Sequence, residues 1–237
     1  MPTDDELNFD TAAPVSLHPQ VFLAIEGVDE DSRPFLEASI TAFDSAVKGL
    51  AAIYEARLVA AKNPALTPES VVTMTANYAD KKVAEITRQI DAAHDTLKAQ
   101  IANADKALQH PLEASLSHPL SVEIRAFAKA MTAGERRKFV SDAIAANDTQ
   151  ALSAVLGGPH YLSGLTTAEK EQFTRLYREK ASPALANRLR VMQRAFDILG
   201  ERGGLVMTHA TKLIGADRRK VNALRDADAK MQKAFAK

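Results

Sequence analysis

Apolar residues recur along much of this chain at alternating spacings of four and three, the pattern of a helix that buries one narrow face. The first such run comprises Leu36, Ile40, Phe43, Val47, Leu50 and Tyr54. Ser32 precedes it as a candidate N-cap, with Pro34 in the first turn, where a missing N–H costs nothing. The run predicts a helix from about residue 33 to Lys62, before Asn63-Pro64.

A second, longer helix is predicted from Thr67-Pro68-Glu69 to about Gln109, because no proline or glycine interrupts this stretch. Its apolar stripe comprises Ile86, Ile90, Ala93, Leu97, Ile101, Ala104 and Leu108. About 42 residues give a length of roughly 63 Å at 1.5 Å per residue. The short link to the first helix predicts an antiparallel, coiled-coil-like hairpin over residues 33–110.

The two predicted helices differ in length, since the first spans only about 45 Å by the same rule. About 12 residues of the second helix therefore overhang the first, and Leu97, Ile101 and Leu108 lie on this overhang. Such a stripe needs cover from the C-terminal region, from the N-terminal segment or from another copy. We take these three residues as candidate protein-interaction residues.

The segment from His110-Pro111 to Ser117-His118-Pro119 is typical of a hinge and predicts a domain boundary. Beyond it, residues 118–237 predict a multi-helix bundle. Residues 119–131 place Leu120, Ile124, Phe127 and Met131 on one face. Capping boxes at Thr132–Glu135 and Thr166–Glu169 open two further helices, and Gly157-Gly158-Pro159 ends another, near 149–156.

A third long seam follows Ser182-Pro183. It comprises Leu185, Leu189, Met192, Phe196, Leu199, Gly203, Val206, Ala210 and Leu213. Because the register survives Gly203-Gly204, we expect one helix, kinked at most. Close helix crossing is the expected use of these glycines. Gly215 is then a C-cap and Asp217 an N-cap for a last, basic helix that begins at Arg218.

Residues 1–32 show no helical period, and residues 1–34 carry 8 acidic side chains against one basic side chain, Arg33. The segment contains an apolar patch over residues 21–25. This composition predicts an extended acidic arm, with Phe22 and Ile25 placed against another surface.

Composition excludes several chemistries. The absence of cysteine excludes disulfides, thiolate metal sites and a cysteine nucleophile. The acidic start lacks the basic and apolar regions of a signal peptide, and no apolar run approaches the length of a membrane span. We therefore expect no membrane association and a soluble protein made in the cytoplasm, with a virus particle as the alternative destination.

Candidate catalytic and metal-binding motifs are weak throughout. No two histidines have the spacing of a helical zinc site, and no glutamate has a histidine three residues on. Leu162-Ser163-Gly164 lacks the upstream glycine of a nucleophile elbow. Gly157-Gly158-Pro159 lacks the GK[ST] ending of a phosphate loop. The sequence predicts no metal, no cofactor and no enzymatic activity.

Charge is distributed unevenly although the total is zero. Residues 1–117 carry 18 acidic and 9 basic side chains, whereas residues 118–237 carry 12 acidic and 21 basic ones. Opposite poles favour head-to-tail docking, and ordinary solvated surfaces explain the asymmetry equally well. The acidic arm could then lie across residues 218–233 of a neighbouring copy.

The basic residues of the last helix leave three alternatives: a solvated face, docking to acidic protein, and contact with nucleic acid. The candidate interaction residues here are Arg218, Arg219, Lys220 and Arg225. Further bases lie at Arg136-Arg137-Lys138 and between Arg175 and Arg194. Interleaved acids such as Asp226 and the lack of aromatic stacking partners place nucleic acid last.

Several short segments of the C-terminal half resemble helical proteins encoded among the structural genes of tailed phages and prophages. They are His118-Pro119, Gly134-Glu135-Arg136-Arg137, residues 154–159, residues 161–165 and Gly215-Ala216-Asp217. These are caps and turns and carry no catalytic residues. The resemblance implies a part of a virus particle or an assembly factor for one.

Together these patterns predict an all-α protein with an extended N-terminal arm, a long helical hairpin and a C-terminal bundle. We expect a non-enzymatic structural or assembly protein that contacts itself and other structural proteins, as a multi-copy phage virion component. A transient scaffolding factor is the first alternative, and a nucleic-acid-binding protein is the second.

Overall fold

A computed structural model describes residues 14–113 and 119–236, except for the side chains of residues 109–111 and 113. The protein is all-α, and these ranges contain no strand. The helices are α1 (Gln20–Leu23), α2 (Glu37–Ala61), α3 (Pro68–Glu113), α4 (Pro119–Ala130), α5 (Ala133–Ala146), α6 (Thr149–Leu156), α7 (His160–Ser163), α8 (Thr167–Ala181), α9 (Pro183–Gly203), α10 (Leu205–Ile214) and α11 (Arg218–Phe235).

Contacts between Cα atoms divide the chain into two units. The first unit joins the chain up to Lys98 with the chain from Gln193 onward, and the second unit holds Ala99–Met192. This division differs from the boundary expected at residues 110–117. Helix α3 continues through His110-Pro111, and Leu108 and Leu112 on either side are both buried. The apolar stripe of α3 therefore passes the predicted hinge, whose residues 114–118 lie outside the described ranges.

In the first unit, α2 packs closely on α10. Phe43, Leu50 and Ile53 of α2 are fully buried. At one end of this helix pair, the Arg57 guanidinium donates from Nη1 to the Leu213 carbonyl oxygen at 2.8 Å. Because the last carbonyls of a helix lack partners within it, this bond stabilises the end of α10. The expected C-cap, Gly215, follows with φ +73°.

Helices α2 and α3 meet at Gly49, where an added Cβ would lie 2.7 Å from Ile86 Cδ1. This glycine allows the two helices to approach, as the stripes on both predict. An antiparallel coiled-coil pairing along their whole length stays a prediction.

The described part of the N-terminal segment is folded rather than extended. A 3₁₀ turn over Val15–Leu17 and the short helix α1 bring Leu17, Phe22 and Ile25 into the core. The Phe22 ring packs edge-on against Phe43, with centroids 4.8 Å apart. The predicted arm was wrong for residues 14–32 because burying three large apolar side chains outweighs the acidic, proline-containing composition around them. Residues 1–13 lie outside the described ranges.

The third predicted seam is confirmed in its register. Its buried members are Leu189, Met192, Leu199, Val206, Ala210 and Leu213. The helical hydrogen bonding is interrupted at Gly204, whose backbone stays in the right-handed helical region (φ −64°, ψ −21°). Two helices therefore replace the single helix that we expected. Close crossing applies to Gly203 alone, where a Cβ would lie 3.2 Å from Ile90 Cγ2.

The second unit is built around α6, which packs against α4, α5, α7 and α8. Every residue from Ala151 to Leu156 is buried. Gly157 ends this helix as expected, and it also touches α3. An added Cβ there would lie 2.3 Å from the Leu112 carbonyl oxygen. A glycine is required for this approach because no side chain fits the gap.

Helix α4 buries only part of the predicted face: Ile124 packs against the core. Ser121 and Ala128 are fully buried, whereas Phe127 is 60% exposed and Leu120 is 39% exposed. Small side chains allow α4 to lie close to α6 and α7. Phe127 instead packs edge-on against Phe139, with centroids 5.9 Å apart.

Arg136 joins the end of α4 to the α7 turn. Its guanidinium donates to the carbonyl oxygens of Ala128 (2.9 Å), Met131 (2.8 Å) and Gly164. These acceptors lie at helix ends, where carbonyl oxygens lose the partners of the helix interior. The Ala128 oxygen also accepts the Met131 N–H at 3.3 Å. A planar group with five donors suits such a cluster better than an ammonium group does.

The predicted capping boxes are both present. The Thr132 and Thr166 hydroxyls accept the N–H groups of Glu135 and Glu169, and each carboxylate accepts the threonine N–H at 3.0 Å. In the second box, the hydrogen bond from the Thr166 N–H lowers the pKa of Glu169. Each box fixes the first turn of its helix from local sequence alone.

Replacing Leu97 with alanine should lower the free energy of unfolding by about 2 to 5 kcal/mol, because a fully buried leucine leaves a cavity. The control, Lys98→Ala, is exposed and should change it by less than about 0.5 kcal/mol. Urea unfolding followed by circular dichroism measures both. Equal midpoints would show that the α3 stripe is not packed at Leu97.

Replacing Arg136 with methionine should cost about 2 kcal/mol of unfolding free energy, because carbonyl oxygens lose charged donors. Arg137 is the matched control, since it is exposed and its ion pair with Glu169 is long, at 3.9 Å. Arg137→Met should therefore cost well under about 1 kcal/mol of unfolding free energy. Arg136→Lys should not restore stability. Similar losses for the two methionine variants would rule out the carbonyl cluster as the cause.

The Glu169 capping contact should make stability depend on acid pH. Since the folded-state pKa is lowered, the carboxylate stabilises the fold above the unfolded-state pKa, and this contribution is lost as pH falls through the folded-state pKa. Glu169→Gln should therefore be less stable than the parent at pH 6, and this difference in stability should shrink as the pH is lowered through the folded-state pKa. Glu171→Gln on the same helix is the control. Urea unfolding midpoints are measured at pH 6 and at acid pH, and the same pH dependence for the two variants would contradict the prediction.

Candidate protein-interaction surface

The first half of α11 is anchored to the first unit. Val221 is its one described buried residue. Arg225 donates from Nε to Asn77 Oδ1 at 2.9 Å and from Nη2 to Asp80 Oδ2 at 2.7 Å. Asp217 caps the helix by accepting the Lys220 N–H at 2.7 Å. The predicted N-cap is thus confirmed, and Arg225 is occupied by the chain's own α3.

The second half of α11 is exposed along its length. Every residue from 226 to 236 is exposed, including Met231 (52%) and Phe235 (87%). These two side chains continue the face of Val221 and Leu224, since the four lie at spacings of 3, 7 and 4. Large apolar side chains presented together on one helix face are typical of a contact surface. We call residues 226–236 the distal segment of α11.

Three adjacent cations precede this surface. Arg218, Arg219 and Lys220 are exposed, and their side chains form no ion pair with any described residue. The N-terminal end of a helix favours anions, so three cations in this turn do not stabilise α11. Local helix stability therefore does not explain their position, which is favourable for an acidic ligand.

A cleft of about 150 Å³ lies between α3, α10 and α11. Small or apolar side chains line it: Ala76, Ala79, Val83, Met207, Ala210, Ile214, Ala216 and Val221. Asp80, Thr211, Arg218, Asn222 and Arg225 supply its polar lining. The cleft is an apolar slot with a charged edge, and it adjoins the three cations because Arg218 belongs to both.

The other predicted interaction residues serve the chain's own core. Phe22, Leu97 and Leu108 are between 0% and 4% exposed, and Ile25 is 9% exposed. A side chain without exposed surface cannot contact a partner while the chain stays folded. Ile101 is partly exposed. Of the candidates, Arg218, Arg219 and Lys220 are exposed.

Some of the bases considered for nucleic-acid contact have structural partners. Arg136 is bound to carbonyl groups, Arg178 donates to Asp105 at 2.9 Å and Arg225 binds Asp80. These three arginines are therefore engaged within the chain and are not free to bind a phosphate backbone.

The described ranges contain no cluster of metal-ligating side chains: no group of three or more histidine, aspartate or glutamate side chains converges there as a metal site. His94 stacks on Phe196, with centroids 3.9 Å apart, and thus packs as a planar ring. Within residues 14–113 and 119–236, no helix combines the length and apolarity needed to cross a bilayer.

The exposed apolar residues of α11 were not among the sequence candidates. The sequence analysis considered only the basic residues of the last helix. The spacing of Met231 and Phe235 from Val221 and Leu224 would have predicted that all four share one helix face. The cleft could not be predicted from a sequence motif, because its lining comes from three helices, of which α3 is far from the other two in sequence.

Comparison with protein-family models, curated proteins and solved structures finds no match to this chain.

Proposed function

We propose that this is a non-enzymatic structural or assembly protein that acts through protein–protein contacts, as a multi-copy component of a phage particle. The resemblance of its C-terminal caps and turns to proteins encoded among phage structural genes motivates the particle. One structural observation supports contact as the mode of action. The distal segment of α11 is exposed throughout and carries Met231 and Phe235 on one face.

This segment lacks the packing that stabilises helices in proteins. Short helices are marginal in water without an apolar face buried against a neighbour. Partner binding supplies that burial by covering Met231 and Phe235. Asp226, Asp228, Lys230 and Lys233 flank them with both signs of charge, which suits a protein surface of mixed charge better than a polyanion.

A photoreactive amino acid at Phe235 tests the contact in cells that make the protein. It should yield covalent protein adducts, either with a second copy or with another structural protein. The same group at Lys233, on another side of the helix, is the control. Equal or absent adducts at the two positions would contradict a role for this face.

Mass spectrometry of purified particles then tests the multi-copy assignment. A permanent component should be present in the finished particle at many copies. A protein found on assembly intermediates and missing from the finished particle would be the scaffolding factor instead. Absence from both would contradict the phage assignment.

A further inference from the structure

The cleft between α3, α10 and α11 has the size and lining of a site for one large apolar side chain. Its volume of about 150 Å³ equals that of an engineered apolar cavity that binds benzene. Alanines on two helices, Ala76 and Ala79 of α3 and Ala210 of α10, keep the slot open. A volume of this order matches the size of one aromatic ring.

The edge of the cleft selects for acidic neighbours of that side chain. Arg218 lies on the edge, and Arg219 and Lys220 follow it without ion-pair partners among the described residues. Asp80 is the one acid in the lining, and its carboxylate is bound by Arg225 at 2.7 Å. The net charge at the edge is positive, so an acidic peptide is complementary to it.

The chain itself contains a segment with this chemistry. Residues 4–10 read Asp-Asp-Glu-Leu-Asn-Phe-Asp, with four acids around Leu7 and Phe9 and no basic side chain. Phe9 supplies an aromatic ring, and the acids supply the charges that the edge lacks.

The same segment is within reach of the cleft. Near the start of the described chain, the Ser16 carbonyl oxygen accepts from Arg202 Nη1 at 3.0 Å. Twelve residues along α9 and α10 separate Arg202 from Ile214 in the cleft, about 18 Å at helical rise. Phe9 lies seven residues before Ser16. Seven residues span up to about 25 Å when extended, so Phe9 can cover this distance.

We propose that residues Asp4–Asp10 dock in the cleft of their own chain, with the Phe9 ring in the apolar slot and the acids against Arg218, Arg219 and Lys220. A tethered segment binds at high effective concentration, which favours the chain's own segment over a neighbour's. This contact is separate from the one proposed for the distal segment of α11 and does not depend on it.

Because the chain contains no cysteine, two introduced cysteines can form a disulfide only with each other or with those of another copy. The docking can therefore be tested by disulfide formation in the full-length protein. Asn8→Cys is combined with Asn222→Cys at the cleft edge, and in the control with Ala227→Cys on the opposite side of α11. The cleft pair should form an intrachain disulfide about tenfold faster than the control pair, as expected for about 1.4 kcal/mol of docking energy.

Two further variants identify the forces. Phe9→Ala, and separately Arg218→Glu with Arg219→Glu, should each bring the cleft pair down to the control rate. Phe9 is outside the described residues that form the core, so we expect Phe9→Ala to leave the fold intact and to change only the rate of disulfide formation. Equal rates for the cleft and control pairs, or no effect of Phe9→Ala, would overturn the proposal.

The mass of the cross-linked product separates the two sources of the segment. A monomeric product with an internal disulfide supports docking within one chain. A product of twice the mass that forms faster with concentration would show that a second copy supplies the segment, and would overturn the proposal. Neither result bears on adducts at Phe235, so this contact and the proposed function can fail independently.

Discussion

The structure of the first unit depends on burial of the apolar seam that runs along α9 and α10. In this unit, Leu199 and Val206 are at most 2% exposed, and the seam keeps its register across Gly204. Where α10 lies on α2, the Arg57 side chain binds its last turn and Gly215 reverses the chain. This packing fixes the point at which α11 begins, and hence the place of both candidate contact surfaces.

A consequence is that α11 is held by few contacts at its first half only. Val221 and the ion pair from Arg225 to Asp80 attach it, and a partly exposed ion pair of this kind contributes about 0 to 1 kcal/mol. The distal segment has no such attachment in the described chain. Met231 and Phe235 are therefore available to a partner without any opening of the core, unlike Leu97 or Phe22.

Sequence predicted local structure well and tertiary partners poorly, for one physical reason. Capping boxes such as Thr166–Glu169 depend on residues three apart, and a seam such as Leu189–Met192 depends on helical periodicity, so both can be found in one dimension. What an apolar face meets depends on distant residues. Phe22 thus joined the core instead of an outside surface, Phe127 stayed exposed because Ala128 allowed closer packing, and the division at Lys98 fell inside an unbroken helix.

Hydrogen exchange of the distal segment tests the central claim most directly, because it reports whether α11 is covered. In the purified protein at low concentration, amides of residues 226–236 should exchange much faster than those of α10, since no tertiary packing protects them. In the assembled particle they should become protected, while amides of α10 stay as they were. Equal exchange of the distal segment in both states would contradict the account.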